Sequence, residues 1–254
     1  MNKTKIPWAT MTWNPVTGCM HGCSYCYARK IANRFGDTKI FSYENTETHV
    51  IESPLFTLSK SGKLCQSSFP FKFEPTFYKY RLDEPQYIKT PQRVFVCSMA
   101  DLFGDWNTDE QIERVISACM EAPWHQYLFL TKNPKRYAEL AFKREEPFSD
   151  NWWFGTTVTN QSDMDKANVS IMETPCDMKC FLSMEPLLGQ IFIKDIAFMN
   201  WVIVGEQTNP TIEPKDEWVQ EIIDQCRVAK VPVFVKEPLY TRFPIQQYPK
   251  ELIL

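Results

Sequence analysis

From about residue 90 onward the chain keeps one rhythm. A short run of β-branched and aromatic residues is followed by polar residues and then by a longer segment with apolar positions three or four apart. The runs fall at residues 94–97, 127–130, 154–158, 180–183, 201–204 and 232–235, and a similar run at 9–13 precedes them. Their apolar residues are consecutive rather than alternate, the pattern of a strand buried on both faces. The longer segments carry helix signals. Thr108 followed by Gln111 reads as a capping box, with Ile112, Val115, Ile116 and Cys119 as the apolar stripe behind it. Asn133-Pro134 opens another helix, with proline at its first position. Residues 214–229 place Trp218, Ile222 and Cys226 on one face. Strands alternating with helices in right-handed crossovers predict an α/β fold. The expected architecture is a partial parallel (β/α) barrel of about six to seven strands, with a full eight-stranded TIM barrel as the alternative. Residues 1–254 read as a single domain, interrupted by an insertion at about 38–90 where the rhythm breaks.

The predicted strands end in polar residues: Ser98 and Asp101, Thr131 and Lys132, Asn160 and Gln161, Glu185, Glu206 and Gln207, Lys236 and Glu237. A single polar residue after a strand is solvated loop by default. The same bias at six ends predicts a common mouth, because chemistry in such barrels sits at the C-terminal ends of the strands. Composition narrows the setting. With 254 residues, 44% hydrophobic and 23% charged, the chain can bury a sizeable core. Its net charge of −3 does not announce nucleic acid. Nine cysteines, an odd number, argue against a complete disulfide set and for reduced thiols. Neither a leader-like apolar stretch nor a membrane-length run is visible, so the expectation is a cytoplasmic enzyme without a membrane partner.

The most specific chemistry follows the first strand. Cys19, Cys23 and Cys26 are spaced C-x3-C-x2-C, with Gly18 and Gly22 in the loop and Tyr25 before the last cysteine. Three thiolates can hold three irons of a cubane cluster and leave the fourth iron open to an outside ligand. Zinc is the alternative, since His21 lies in the loop and structural zinc takes four ligands. The favoured expectation is one iron–sulfur cluster on Cys19, Cys23 and Cys26. Cys176 and Cys180 repeat a C-x3-C spacing but lack a third cysteine nearby, which favours packing over a second metal. Cys65, Cys119 and Cys226 read as isolated thiols. Cys97, near a strand end, is a buried core thiol by default and otherwise a group able to return a hydrogen atom to a product radical.

The cysteine loop resembles the signature of the radical S-adenosylmethionine (SAM) superfamily. Asn14-Pro15 and the run from Gly18 to Arg29 resemble the branch that includes spore photoproduct lyase, a DNA repair enzyme. Most of the chain is similar to a phage- and prophage-borne radical-SAM-like family of largely unassigned activity. Its segments are matched by Ser98-Met99-Ala100-Asp101, Leu130-Thr131-Lys132, Val158-Thr159-Asn160-Gln161, Ser183-Met184-Glu185-Pro186 and Ile203-Val204-Gly205-Glu206. The resemblance implies a 4Fe–4S cluster, SAM and an external one-electron donor of flavodoxin or ferredoxin type. The implied reaction is reductive cleavage of SAM to methionine and a 5′-deoxyadenosyl radical, which abstracts hydrogen from a substrate.

The resemblance also distributes roles. Tyr25 packs by the adenine, Met99 lines its pocket, and Asp101 holds the SAM amino group, although this chain lacks the common Gly-Gly-Glu form. Asn160 bonds ribose or carboxylate, and Glu185 touches ribose or substrate unless Lys236 merely neutralises it. Glu206 and Lys236, from later strands, are expected nearer the substrate, with Cys97 as the possible hydrogen donor. The substrate is expected to be a nucleotide or nucleic acid, with a peptide or small metabolite as alternatives. In the insertion, aromatics interleaved with Lys and Arg at residues 69–81 suit either base stacking or packing on the barrel wall. A non-catalytic iron–sulfur or zinc-binding accessory protein is the rival functional expectation.

Overall fold

The computed structural model describes residues 1–36, 48–59, 61–144, 146–175, 177–208 and 210–253. Seven parallel strands form its central sheet: β1 (Met11–Trp13), β2 (Arg93–Val96), β3 (Gln126–Thr131), β4 (Trp152–Thr157), β5 (Lys179–Met184), β6 (Trp201–Val204) and β7 (Val233–Val235). They are hydrogen-bonded in chain order, with a short antiparallel edge strand, Asn2–Lys3, beside β1. Among the described residues the two ends of this order are not hydrogen-bonded to each other as strands.

Both faces of each strand are buried, which explains the unbroken apolar runs. Val94, Phe129, Phe154, Leu182, Val202 and Val235 face the helices. Phe95, Leu128, Trp153, Phe181, Ile203 and Phe234 face inward. Trp8, just ahead of β1, lies 4.7 Å from the Phe95 ring on β2 and 6.4 Å from Phe181 on β5, a reach that only a strongly curved sheet permits. The chain after β7 runs along that strand's free edge, with Val235 N donating to Ile245 O at 2.8 Å. It then returns to the start of the sheet, where Tyr248 Oη donates to Pro7 O at 3.0 Å and Arg93 Nη1 to Leu252 O at 3.0 Å. An exposed strand edge is thereby covered.

Five helices surround the sheet: α1 (Tyr27–Phe35), α2 (Asp109–Met120), α3 (Lys135–Lys143), α4 (Gln161–Met172) and α5 (Asp216–Ala229). The capping box at α2 is formed as the sequence predicts, Gln111 N donating to Thr108 Oγ1 and Thr108 N to Gln111 Oε1. At α3, Pro134 takes the cap position, so the helix begins one residue later than expected. None of the helices is long and apolar enough to cross a membrane, among the described residues.

The insertion builds its own small sheet, Thr76–Tyr78 between Val16–Thr17 and His49–Ile51, and a hairpin of Phe56–Leu58 with Leu64–Gln66. Of its aromatics, Phe73, Phe77 and Tyr78 are buried and Phe71 stacks on His49 at 3.9 Å, whereas Phe56 and Tyr87 are exposed. Residues 37–47 of the expected insertion, and Cys176 of the second cysteine pair, lie outside the described residues. Cys180 is buried in the helix-facing core.

Candidate active site

Two backbone anchors hold the cysteine loop. Gly18 N donates to Met99 O at 2.9 Å and Cys19 N to Phe73 O at 3.3 Å, so the ends of β2 and of the insertion grip it from both sides. Gly18 has φ +84°, and a Cβ there would lie 2.2 Å from Glu74 O; no other residue fits. Cys26 caps α1, its Sγ accepting from Arg29 N at 3.3 Å. Cys19 and Cys26 pack against Ala28, Ala32, Phe73 and Met99.

The loop forms one wall of a cleft of about 260 Å³. Cys19, Cys23 and Cys26 line it together with Tyr25 and Tyr27; the ends of β2 to β7 supply Asp101, Lys132, Thr157, Ser183, Glu185, Glu206 and Lys236. Polar strand ends and cysteine loop therefore meet at one mouth. Its floor is apolar, with Ile6, Trp8, Phe95 and Leu130.

Asp101 ties the wall together. Its carboxylate accepts from Thr131 Oγ1 at 2.7 Å, Phe103 N at 3.0 Å and Lys132 N at 2.9 Å, and bonds His21 Nε2 at 2.7 Å. Lys132 Nζ donates to Tyr25 Oη at 2.9 Å, and the burial of that phenol raises its pKa while the lysine opposes the rise. Across the cleft Lys236 Nζ lies 2.7 Å from Glu185 Oε1, an ion pair whose angle falls outside hydrogen-bond geometry; Ser183 Oγ donates to Glu185 Oε2 at 3.1 Å. Burial and then the Glu213 carboxylate hold Glu206 above its ordinary value, against the pull of Arg242. Burial pushes the Cys19 thiol up to about 12, with Asp101, Cys23 and Cys26 pushing the same way.

Three expected site residues do not join the cleft lining. Asn160 stands at the correct end of β4, but its Oδ1 accepts from Asp163 N at 3.1 Å as the cap of α4. Met99 packs beneath the cysteine loop against Ala28, Ala32 and Phe73. Cys97 is buried in the helix-facing core, and burial pushes its thiol up to about 12. Strand parity puts Phe95 inward and Val94 and Val96 with the helices, and the left-handed turn at Cys97 (φ +59°) breaks the alternation, so that Cys97 joins the helix-facing core. The same parity singles out Thr157 and Ser183, which the strand-end pattern passed over, as polar residues in line with inward Trp153 and Phe181. The His21–Asp101 contact spans 80 residues and leaves no trace in local sequence.

The three thiols are donors that zinc or an iron–sulfur cluster could take. Three soft thiols share one wall, while His21 Nε2 and the Asp101 carboxylate are engaged with each other. Among the described residues no three His, Cys, Asp or Glu side chains are grouped to hold one metal ion.

The fold has a solved counterpart. A structure of spore photoproduct lyase complexed with dinucleoside spore photoproduct superimposes with a TM-score of 0.52 at 12% sequence identity, covering 96% of this chain and 76% of that one. At that identity the likeness shows the fold. No curated protein matches the chain. Residues 3–241 match a family described as "Protein of unknown function (DUF5131)", and the chain belongs to that family.

Proposed function

We propose that the protein is a radical SAM enzyme, with Cys19, Cys23 and Cys26 holding a 4Fe–4S cluster. The observation that carries this is the three-thiol C-x3-C-x2-C loop, lining one wall of a cleft at the C-terminal mouth of a parallel α/β sheet. When bound, a reduced cluster supplies one electron that cleaves SAM to methionine and a 5′-deoxyadenosyl radical.

The chain's own residues bind, orient and exclude water. Asp101 fixes His21, and through it the loop between Cys19 and Cys23. Lys132 offers an ammonium beside the thiol wall for the carboxylate of SAM, and Tyr25 shelters the adenine. Glu185 and Lys236 form a preset charge pair facing the thiols, suited to hydroxyl and anionic groups of a ribose or substrate. Glu206 stands at the same mouth, its carboxyl held above its ordinary value by burial and then by Glu213. The apolar floor under these groups keeps bulk water from the reacting centre. A substrate of the nucleotide class is supported by the dinucleoside bound to the structural counterpart.

Anaerobic reconstitution with iron and sulfide tests the proposal, followed by dithionite and SAM. The expected result is a brown protein that releases 5′-deoxyadenosine, with both properties lost on replacing any of the three cysteines by alanine. A colourless zinc adduct, or a cluster inert toward SAM, refutes it.

A further inference from the structure

Both ends of the three-thiol loop hang from one turn. Gly18, the residue before Cys19, donates its amide to Met99 O at 2.9 Å. Tyr27, the residue after Cys26, donates its phenol to Ser98 O at 2.6 Å. These two carbonyls are neighbours in the turn after β2, which opens on the left-handed Cys97 and closes with Ala100 N donating to Cys97 O at 2.9 Å. The closing bond of a β-turn leaves the donors of its two central residues unused. Here one atom meets them: Asn14 Oδ1 accepts from Met99 N at 3.0 Å and from Ser98 Oγ at 3.2 Å. A backbone amide can only donate, so it fixes the oxygen of the Asn14 amide toward the turn rather than the nitrogen. Asn14 is itself pinned on both sides. Trp13 O accepts from Cys97 N at 2.7 Å, and Asn14 O accepts from Arg81 Nη1 at 3.0 Å.

We infer that Asn14 is a positioning residue for the thiol loop. Its Oδ1 fixes the turn at Ser98 and Met99, and the two carbonyls of that turn hold Gly18 and Tyr27, the ends of the loop that carries Cys19, Cys23 and Cys26. The anchoring stands on the chain's own contacts, while its consequence for a cluster rests on the function proposed above. Both contacts of the side chain with the turn are made by its oxygen. A carboxylate of the same shape can therefore replace the amide, and a methyl group cannot.

The test compares Asn14→Ala and Asn14→Asp in the full chain. In the metal-free protein, hydrogen–deuterium exchange read by NMR should be about tenfold faster at Gly18 in Asn14→Ala, because the Met99 carbonyl has lost its fixed direction. The Val202 amide on β6, which donates to Pro232 O at 3.1 Å, should exchange as in the wild type. After anaerobic reconstitution Asn14→Ala should lose most of its iron on gel filtration. Asn14→Asp should match the wild type in exchange and in iron. Unchanged Gly18 exchange in Asn14→Ala, or an Asn14→Asp protein as impaired as Asn14→Ala, overturns the inference. So does full retention of iron by Asn14→Ala. An equal rise at Gly18 and Val202 also overturns it, since it marks Asn14 as a residue of general stability. If the exchange pattern is as expected but the wild type assembles no cluster, the anchoring stands and the proposed function falls.

Discussion

Replacing Asp101 by alanine should cost more in folding than in cofactor affinity. The carboxylate is buried and engaged by four donors: His21 Nε2, Thr131 Oγ1 and the backbone amides of Phe103 and Lys132. Thr131 can rotate its hydroxyl elsewhere, but two backbone amides cannot. Each buried amide left without an acceptor costs about 1–3 kcal/mol, and bonds to a charged acceptor lie at the upper end. Allowing for partial rescue by water, the expected loss is about 3–5 kcal/mol. For a chain of this size that is a fall in midpoint of about 6–20 °C. Thermal unfolding followed by circular dichroism, metal-free and under nitrogen, measures it. Thr131→Val removes one donor to Asp101 and the acceptor of Asn133 N, a single part-buried amide, so its cost should be about 1–3 kcal/mol and below that of Asp101→Ala. An Asp101→Ala protein that melts with the wild type, while losing SAM affinity, refutes the reasoning and leaves Asp101 as a ligand group.

Other outcomes follow from particular contacts. Gly18→Ala forces a Cβ to 2.2 Å from Glu74 O and should cost about 3 kcal/mol or more along with iron uptake. Gly22→Ala, with φ +73° and nothing within 4 Å, should cost only about 1–2 kcal/mol and keep its iron; equal iron loss in both variants contradicts the anchoring. Cys97→Ala should leave 5′-deoxyadenosine formation intact, because the thiol is buried with the helices; loss of product turnover alone in that variant reinstates it as hydrogen donor. Burial lowers the pKa of His125 from 6.5, so the unfolded chain binds more protons and stability falls as pH drops through that value. Melting temperatures between pH 7.5 and 5.5 should show the fall, and a His125→Gln variant with an unchanged slope argues against it.

The sheet was legible because its strands are buried on both faces: the runs at 127–130, 180–183 and 201–204 lie within β3, β5 and β6. The cysteine loop was legible because its thiols are local, seven residues apart at most. Side-chain direction was harder to read. Asn160 marks the right end of β4, yet a side chain preceding a helix has a competing partner in the helix's own free amides, and here that partner wins. Cys97 and Met99 follow β2 closely in sequence, but the turn after it, with Cys97 at φ +59°, sends both away from the cleft. The role of the insertion was the least legible part. Its grip on Cys19 through Phe73 O joins segments 54 residues apart, and backbone carbonyls leave no signature in composition.

The packed aromatics on the inner face, from Trp8 across Phe95 and Phe181 to Trp201 and Phe234, give the cleft a closed bottom. A blind well imposes an order of traffic. Whatever settles deepest enters first and leaves last, so cofactor fragments lying beneath a substrate cannot depart until the product above them has gone. On the proposed function, turnover in such a vessel would be ordered, and a slow-leaving product would stall the exchange of spent cofactor.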